Sequence, residues 1–216
     1  MPFHHAENGL EYFQFEKSPL SDTVYGFFSR VGGISPDPFK SLNLSTSNGD
    51  SVEHVRENQK RIFSALGRPI DSIFDVWQVH STDVVCTDKP KGNNPQYIKA
   101  DAIFTNNPDV TLLMRFADCV PILIYDTVDK VVGIIHAGWQ GTVNNIVGRA
   151  IQEISSVYQC DSRNIIAAIG PSIGPDHYEI GSDVFTIAQP IFDDYDGIFE
   201  FKNGRIMFNL WKANAC

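Results

Sequence analysis

"FADCVPILIYDTVDKVVGIIHAGWQG", residues 116–141, holds two apolar runs separated by a short polar turn, with Cys119 just before the first run and His136 near the end of the second. The runs are rich in β-branched and aliphatic residues and are bounded by turn-forming ones, which predicts two adjacent buried strands. After His136-Ala137-Gly138 the pattern changes. Val143, Ile146, Val147, Ala150, Ile151, Ile154 and Val157 recur at the 3.6-residue period of one long amphipathic helix. His136 is therefore expected at a strand-to-helix junction. Packing asks for neither a thiol nor an imidazole at these strand ends, so chemistry is the question they raise.

Upstream, "SIFDVWQVHSTDVVCTD" alternates well enough for a strand or a bent strand pair, "KPKGNNPQ" behind it reads as a surface loop, and "ADAIFTN" reads as a further strand. Two opening strands, Leu10–Phe15 and Val24–Phe28, are expected to pair as a hairpin across "EKSPLSD". The stretch "SRVGGISPDPFKSLNLSTSNGD" lacks either periodicity and reads as a long ordered loop. A helix follows. Asp50 with Glu53 resembles a capping box, and Val52, Val55, Ile62, Phe63 and Leu66 share a face before Gly67 and Pro69 stop the run. Downstream, "NIIAAIG" predicts another short strand and "PSIGPDHYEIG" a Gly/Pro loop. Strands and helices alternate irregularly, so the expected class is α+β with mixed sheets, a single domain over 1–216, without internal repeat or linker.

The 216 residues are 43% hydrophobic and 12% aromatic, enough for a substantial core. The net charge, 17 − 26 = −9, with scattered Lys and Arg, disfavours a nucleic-acid partner. Arg115, Asp118, Asp126 and Asp129 interrupt the longest apolar candidate, so no membrane span is expected. The opening "MPFHHAENGL" does not read as a secretory signal, and a cytoplasmic address is the expectation. Cys86, Cys119, Cys160 and Cys216 form no CxxC pair, which fits free thiols in a reducing compartment.

Three residues stand out as soft or borderline ligands near strand ends: His80 in "WQVHS", Cys119 in "FADCVP" and His136 in "IIHAGW". Catalytic zinc takes three such protein ligands and keeps a fourth position open. The separations, 119 − 80 = 39 and 136 − 119 = 17 residues, are far looser than zinc-finger spacing and prove nothing by themselves. Pro121 close behind the thiol and Ala-Gly behind the imidazole favour access. Two other readings use the same residues. Cys119 and the histidines serve as packed or hydrogen-bonded structure, or Cys119 and His136 form a nucleophilic Cys–His pair, for which Asp118 would be a poor third member. Arg30, beside Gly32 and Gly33, is the first candidate for an anion, with Arg115 second and either an edge-facing charge or an anion ligand. Trp77 and Trp139 could stack on a planar base or belong to the core. His4 and His5 are read as a frayed, solvated terminus. No GxGxxG, GxSxG or P-loop ending occurs.

The ordered set "SRVGGIS", "SLNLS", "GDSVEHVRENQKRI", "WQVHS", "ADAIFT", "FADCVPILIYD", "IIHAGWQGT" and "IGPSIGPDHYEIG" closely resembles the laccase-domain family, also called YfiH-like or polyphenol oxidoreductase laccase. The resemblance runs from about Gly26 to the C-terminus. It implies a four-layer α/β/β/α domain and a zinc held by His80, Cys119 and His136. For the anion and the substrate, Arg30, Arg115 and Trp139 remain the candidates that the residues themselves supply. The activity it implies is phosphorolysis of adenosine, inosine, guanosine and methylthioadenosine, together with adenosine deamination, so the expected partners are a purine nucleoside and phosphate. The family also carries the labels of copper-dependent polyphenol oxidase and of a protein that keeps peptidoglycan precursors correct. A multicopper site needs many closely set histidines, and this chain has six His with two at the terminus, which disfavours copper. The sequence departs from the family pattern at Gln140, where members carry Arg or Lys, and at His177, where many carry Cys. It also stops at Cys216, where the family continues with a segment containing a Tyr-Arg-Arg motif. These departures keep open a catalytically weak binding or quality-control protein.

Overall fold

A computed structural model describes residues 3–16, 19–92, 98–192 and 196–216. The chain packs as two compact units: Met1–Phe74 with Lys89–Asn93 and Asp109–Thr111, and Asp75–Asp88 with Asn94–Pro108 and Leu112–Cys216. The class is mixed α+β, as the irregular alternation of patterns predicts.

In the first unit, β1 (Phe3–His5), β2 (Glu11–Phe13) and β3 (Phe27–Phe28) form an antiparallel sheet in the order β1-β2-β3. The expected hairpin is present as β2 and β3, with Tyr12 opposite Phe28 and Phe13 opposite Phe27. It is shorter than its apolar runs because the flanking residues leave the extended ladder. His4 and His5 correct an expectation: they belong to β1, where His4 stacks on Tyr12 at 5.3 Å. Residues 29–50 contain no helix or strand, as read from their Gly, Pro and small polar content. They lead into α1 (Val52–Ala65), whose Val55, Ile62 and Phe63 are buried. The N-cap is Ser51, which accepts from the His54 amide at 3.1 Å, rather than the expected Asp50. Asp50 instead turns back into the loop.

β4 (Ile73–Asp75) is followed in the second unit by β5 (Val84–Cys86) and β6 (Ala102–Thr105), then by β7 (Thr111–Leu113), β8 (Val120–Asp126) and β9 (Val132–Ala137). Residues 93–97 lie outside the described set, so part of the expected "KPKGNNPQ" loop does too. With β10 (Ile165–Ile169), the central strands make a five-stranded sheet in the order β10-β8-β9-β6-β5. Only β5 and β6 run parallel; the other neighbours are antiparallel. β8 and β9 are the two predicted adjacent strands, and six of the seven β8 residues are buried, as an almost unbroken apolar run requires. Gly133 in β9 sits opposite Phe104, and a Cβ there would come within 2.1 Å of that ring. The strand can pass the aromatic ring only as glycine.

The single long helix expected after Gly138 is two. α2 (Trp139–Val143) ends at Asn144, and α3 (Ile146–Tyr158) starts after Asn145, whose backbone is left-handed and whose side chain caps the Gly148 amide at 3.0 Å. Val143 and Ile146 are both buried on either side of this break, so the apolar period continues through a chain that is not continuously helical. α3 packs over β5, β6 and β9, and its Ile146, Ala150 and Ile154 are buried in the same core as Phe104, Ile122, Ile124 and Ile135. The C-terminal part adds β11 (Glu179–Ile180), α4 (Ser182–Ala188), β12 (Phe199–Lys202), β13 (Arg205–Phe208) and α5 (Leu210–Ala215), with a small antiparallel sheet in the order β11-β13-β12. No helix among the described residues is long and apolar enough to cross a membrane.

Candidate functional site

The β8–β9 pairing explains why a thiol and an imidazole 17 residues apart are neighbours. Val120 lies opposite Ala137 and Pro121 opposite His136, so Cys119, immediately before β8, comes level with Gly138, immediately after β9. A Cβ on Gly138 would lie 3.0 Å from the Cys119 sulfur and 2.9 Å from Cδ2 of His80. Glycine at 138 therefore leaves the space that the two side chains occupy. Asp118 takes a left-handed backbone, φ 72°, which turns the chain so that Cys119 enters the site from a bend and not from the strand.

The neighbouring strand supplies the support. β6 runs antiparallel to β9 with Ala102 opposite Ile135, which brings Asp101 beside His136. The His136 amide donates to the Asp101 carbonyl at 2.7 Å, and Nδ1 of the ring pairs with the Asp101 carboxylate at 2.8 Å. The same carboxylate accepts the amides of Val79, His80 and Ser81 at 3.2, 3.0 and 2.7 Å and the Ser81 hydroxyl at 2.9 Å. Asp101 thus hangs the segment that carries His80, itself at φ 59°, onto the strand that carries His136. Asp101 is completely buried and His136 nearly so, whereas His80 is exposed and Cys119 half-buried.

The ligand atoms of His80, Cys119 and His136 all lie within 4.8 Å of one another, and the Cys119 sulfur stands 3.8 Å from Nε2 of His80. The two imidazoles meet edge to face at 4.9 Å. A tetrahedral zinc with Zn–S of about 2.3 Å and Zn–N of about 2.0 Å would separate sulfur and nitrogen by about 3.5 Å. The residues present therefore fit such an ion with little movement. Among the described residues no fourth His, Cys or carboxylate joins the group. The exposed His80 side is the open one.

Burial disfavours the charged form of His136, but the hydrogen bond its ring donates to Asp101 and the neighbouring Cys119 outweigh it and raise its pKa to about 9. Burial likewise works against the Asp101 carboxylate, and its hydrogen bonds from His136 and residues 79–81 hold it below the ordinary range. The Tyr178 hydroxyl is pushed up to about 12, first by burial and then by Cys119 and Asp118, so it keeps its proton.

Arg115 forms an ion pair with Asp75, and Gln78 brackets its backbone, donating to its carbonyl at 2.6 Å and accepting its amide at 2.9 Å. Trp139 opens α2 and packs against the core, while Trp77 is half exposed. Arg30 belongs to the first unit, where its guanidinium donates to the Lys40 carbonyl. Gln140 is exposed on α2, and His177 pairs with Asp176 at the surface. Asp101 is the residue that reading the sequence missed. The signal was an acid between two alanines at the head of the apolar "ADAIFT", where burial demands partners for a carboxylate.

Residues 24–216 match the family described as multi-copper polyphenol oxidoreductase laccase. The chain is 36% identical over 157 residues to a purine nucleoside phosphorylase YfiH of Escherichia coli, covering 72% of this chain and 61% of the relative. It is 33% identical over 204 residues to a purine nucleoside phosphorylase YlmD of Geobacillus stearothermophilus, covering 91% and 74%. The crystal structure of YlmD from that organism superposes with a TM-score of 0.88 at 29% identity, covering 99% of this chain and 81% of that one. The crystal structure of a Bacillus licheniformis hypothetical protein YfiH gives 0.86 at 27% identity with the same coverage. The chain thus spans 61% of the length of the Escherichia coli relative and about four fifths of these two structures.

Proposed function

We propose a purine nucleoside phosphorylase activity for this chain, which belongs to the multi-copper polyphenol oxidoreductase laccase family. The reading rests on one observation: His80, Cys119 and His136 bring three ligand atoms within 4.8 Å on a face that is open at His80. The names of the relatives supply the substrate class, a purine nucleoside with phosphate as the second substrate.

His80, Cys119 and His136 would hold a zinc ion. When bound, such an ion acts as a Lewis acid that polarises an oxygen and acidifies water, which suits both phosphate-dependent cleavage at the ribose carbon and hydrolytic deamination of adenosine. Thiolate and imidazole donors in a three-residue set favour zinc over a multicopper centre. The chain's own residues do the positioning. Asp101 keeps Nδ1 of His136 protonated and fixes the ring so that its other nitrogen is the one available to a ligand. Gly138 keeps the floor of the site free of a side chain. Tyr178 retains a hydroxyl proton that it can donate. Arg115 and Trp139 are the contributors to substrate binding from the unit that carries the three candidate ligands.

Protein purified without added metal is expected to carry about one zinc per chain, and Cys119→Ala to carry almost none. Wild type incubated with adenosine or inosine should release free purine base only when phosphate is present. Inosine formed from adenosine without phosphate would assign deamination. Zinc bound with neither product formed would overturn the reading.

A further inference from the structure

β12 is an edge strand of the small sheet. β13 pairs with it on one side and β11 lies beyond β13, so among the described residues the other side of β12 meets no strand. The hairpin turn fixes which backbone groups that side offers. Asn203 and Gly204 both take left-handed backbone, φ 52° and 77°, as a two-residue type I′ turn requires, so Lys202 and Arg205 exchange both of their hydrogen bonds. The antiparallel ladder alternates from there. Glu200 bonds to Met207, and the Phe201 amide and carbonyl point away from β13 toward the open edge. The Phe201 side chain is 65% exposed, and its ring lies 5.3 Å from that of Phe185 in α4. Ile187 in α4 and Ile191 just beyond it are also exposed. A strand edge beside exposed apolar side chains is a template for another strand.

We propose that β12 is a dimerisation edge, pairing antiparallel with β12 of a second copy of this chain about a twofold axis through Phe201. The charges name that partner. A lysine on an edge commonly discourages pairing, but here Lys202 stands two residues from Glu200, a spacing that complements itself. With the two Phe201 residues exchanging backbone hydrogen bonds, Glu200 of each copy lies opposite Lys202 of the other, in the closer, non-hydrogen-bonded positions of the ladder. Sliding by two residues is the smallest step that keeps the outward backbone groups facing each other. It sets Glu200 against Glu200 or Lys202 against Lys202, and like charges in facing positions repel. Charge therefore selects one register. Glu200 and Lys202 are both exposed and form no ion pair among the described residues; Lys202 acts on Asp176 only as the last of the causes that lower its carboxyl. The two three-stranded sheets then become one of six strands.

The test is the molar mass of the full chain by sedimentation equilibrium, in reductant so that the exposed Cys216 cannot link two copies. Wild type is expected to pass from the mass of one chain toward that of two as its concentration rises to about 0.1 mM. Lys202→Glu and Glu200→Lys each bring like charges face to face twice and should each weaken the dimer about tenfold or more. Mixed in equal amounts, the two variants should associate at least as tightly as wild type, because every facing pair is then of opposite sign. Both positions are exposed, and recovery on mixing shows that the variants are folded. A wild type that stays monomeric, single variants that dimerise as well as wild type, or a mixture that fails to associate would each overturn the proposal. The readout needs neither zinc nor substrate, so it stands apart from the activity proposed above.

Discussion

Asp101 makes five side-chain hydrogen bonds, to the amides of Val79, His80 and Ser81, the Ser81 hydroxyl and the His136 ring. Each partner alone is an ordinary contact, but together they couple two of the three candidate ligands, His80 and His136, through one buried carboxylate. A carboxylate behind a ligating histidine sets which ring nitrogen carries the proton and where the ring points. Asp101→Asn keeps the volume and replaces one acceptor oxygen by a donor that cannot serve both the ring and the amides. It is expected to fold and to lose about 10–100-fold in zinc affinity, measured by competition with a chromophoric chelator. Asp101→Ala strands the amides and the imidazole together and should cost about 3–5 kcal/mol in urea unfolding. Equal zinc affinity in Asp101→Asn and wild type would remove Asp101 from the site.

The loop over residues 29–50 and α1 are held together by polar side chains, and here the apolar pattern says little. Asn58 lies on α1 and is fully buried, accepting the Ile34 amide at 2.8 Å and donating to the Ser35 hydroxyl and the Ser41 and Asn43 carbonyls. Asp50 accepts from the Ser35 hydroxyl at 2.6 Å, the Asn43 amide group at 2.9 Å and the Ser51 backbone at 2.8 Å, and pairs with His54 at 3.1 Å. Helical periodicity placed α1 and its buried Val55, Ile62 and Phe63, but Val52, expected on the same face, is 62% exposed, and Leu66 is the C-cap. It could not show that Asn58 and Asp50 face a loop, because their partners there, backbone groups together with the Ser35 and Asn43 side chains, follow no periodicity. Burial opposes the charge on Asp50, yet these hydrogen bonds hold its pKa well below the ordinary carboxylate range. A carboxyl whose folded pKa is depressed stabilises the fold above its unfolded pKa of about 3.9 and loses that contribution as pH falls through the folded value. Wild type should therefore lose stability steeply as pH falls below about 4, and Asp50→Asn should be less stable at neutral pH with a flatter acid limb. Parallel limbs in urea unfolding at several acidic pH values would contradict this.

Across the whole molecule, what could be read directly from the residues was what repeats: the β8 and β9 strands, the α1 and α3 stripes, and the placing of His136 where strand gives way to helix. What could not be read was what register decides. Cys119 meets Gly138 only because Val120 pairs with Ala137, and His80 joins them only because Asp101 pairs beside His136; the linear spacings encode neither. The α2–α3 break was hidden for a related reason, since Asn144 and Asn145 interrupt the backbone without interrupting the apolar face. Because all three ligands come from the second unit, a bound ion should stabilise that unit by mass action. All three tryptophans, Trp77, Trp139 and Trp211, lie in the same unit, so their fluorescence reads its unfolding directly. At free zinc about a hundredfold above Kd the gain is about 2.7 kcal/mol, which corresponds to a rise of about 5–10 °C in Tm for a protein of this size. Chelation should reverse the rise in wild type and have a much smaller effect in His80→Ala/Cys119→Ala, where the site is gone. A fluorescence-detected Tm that zinc raises equally in wild type and the double variant would show that these side chains do not hold the ion.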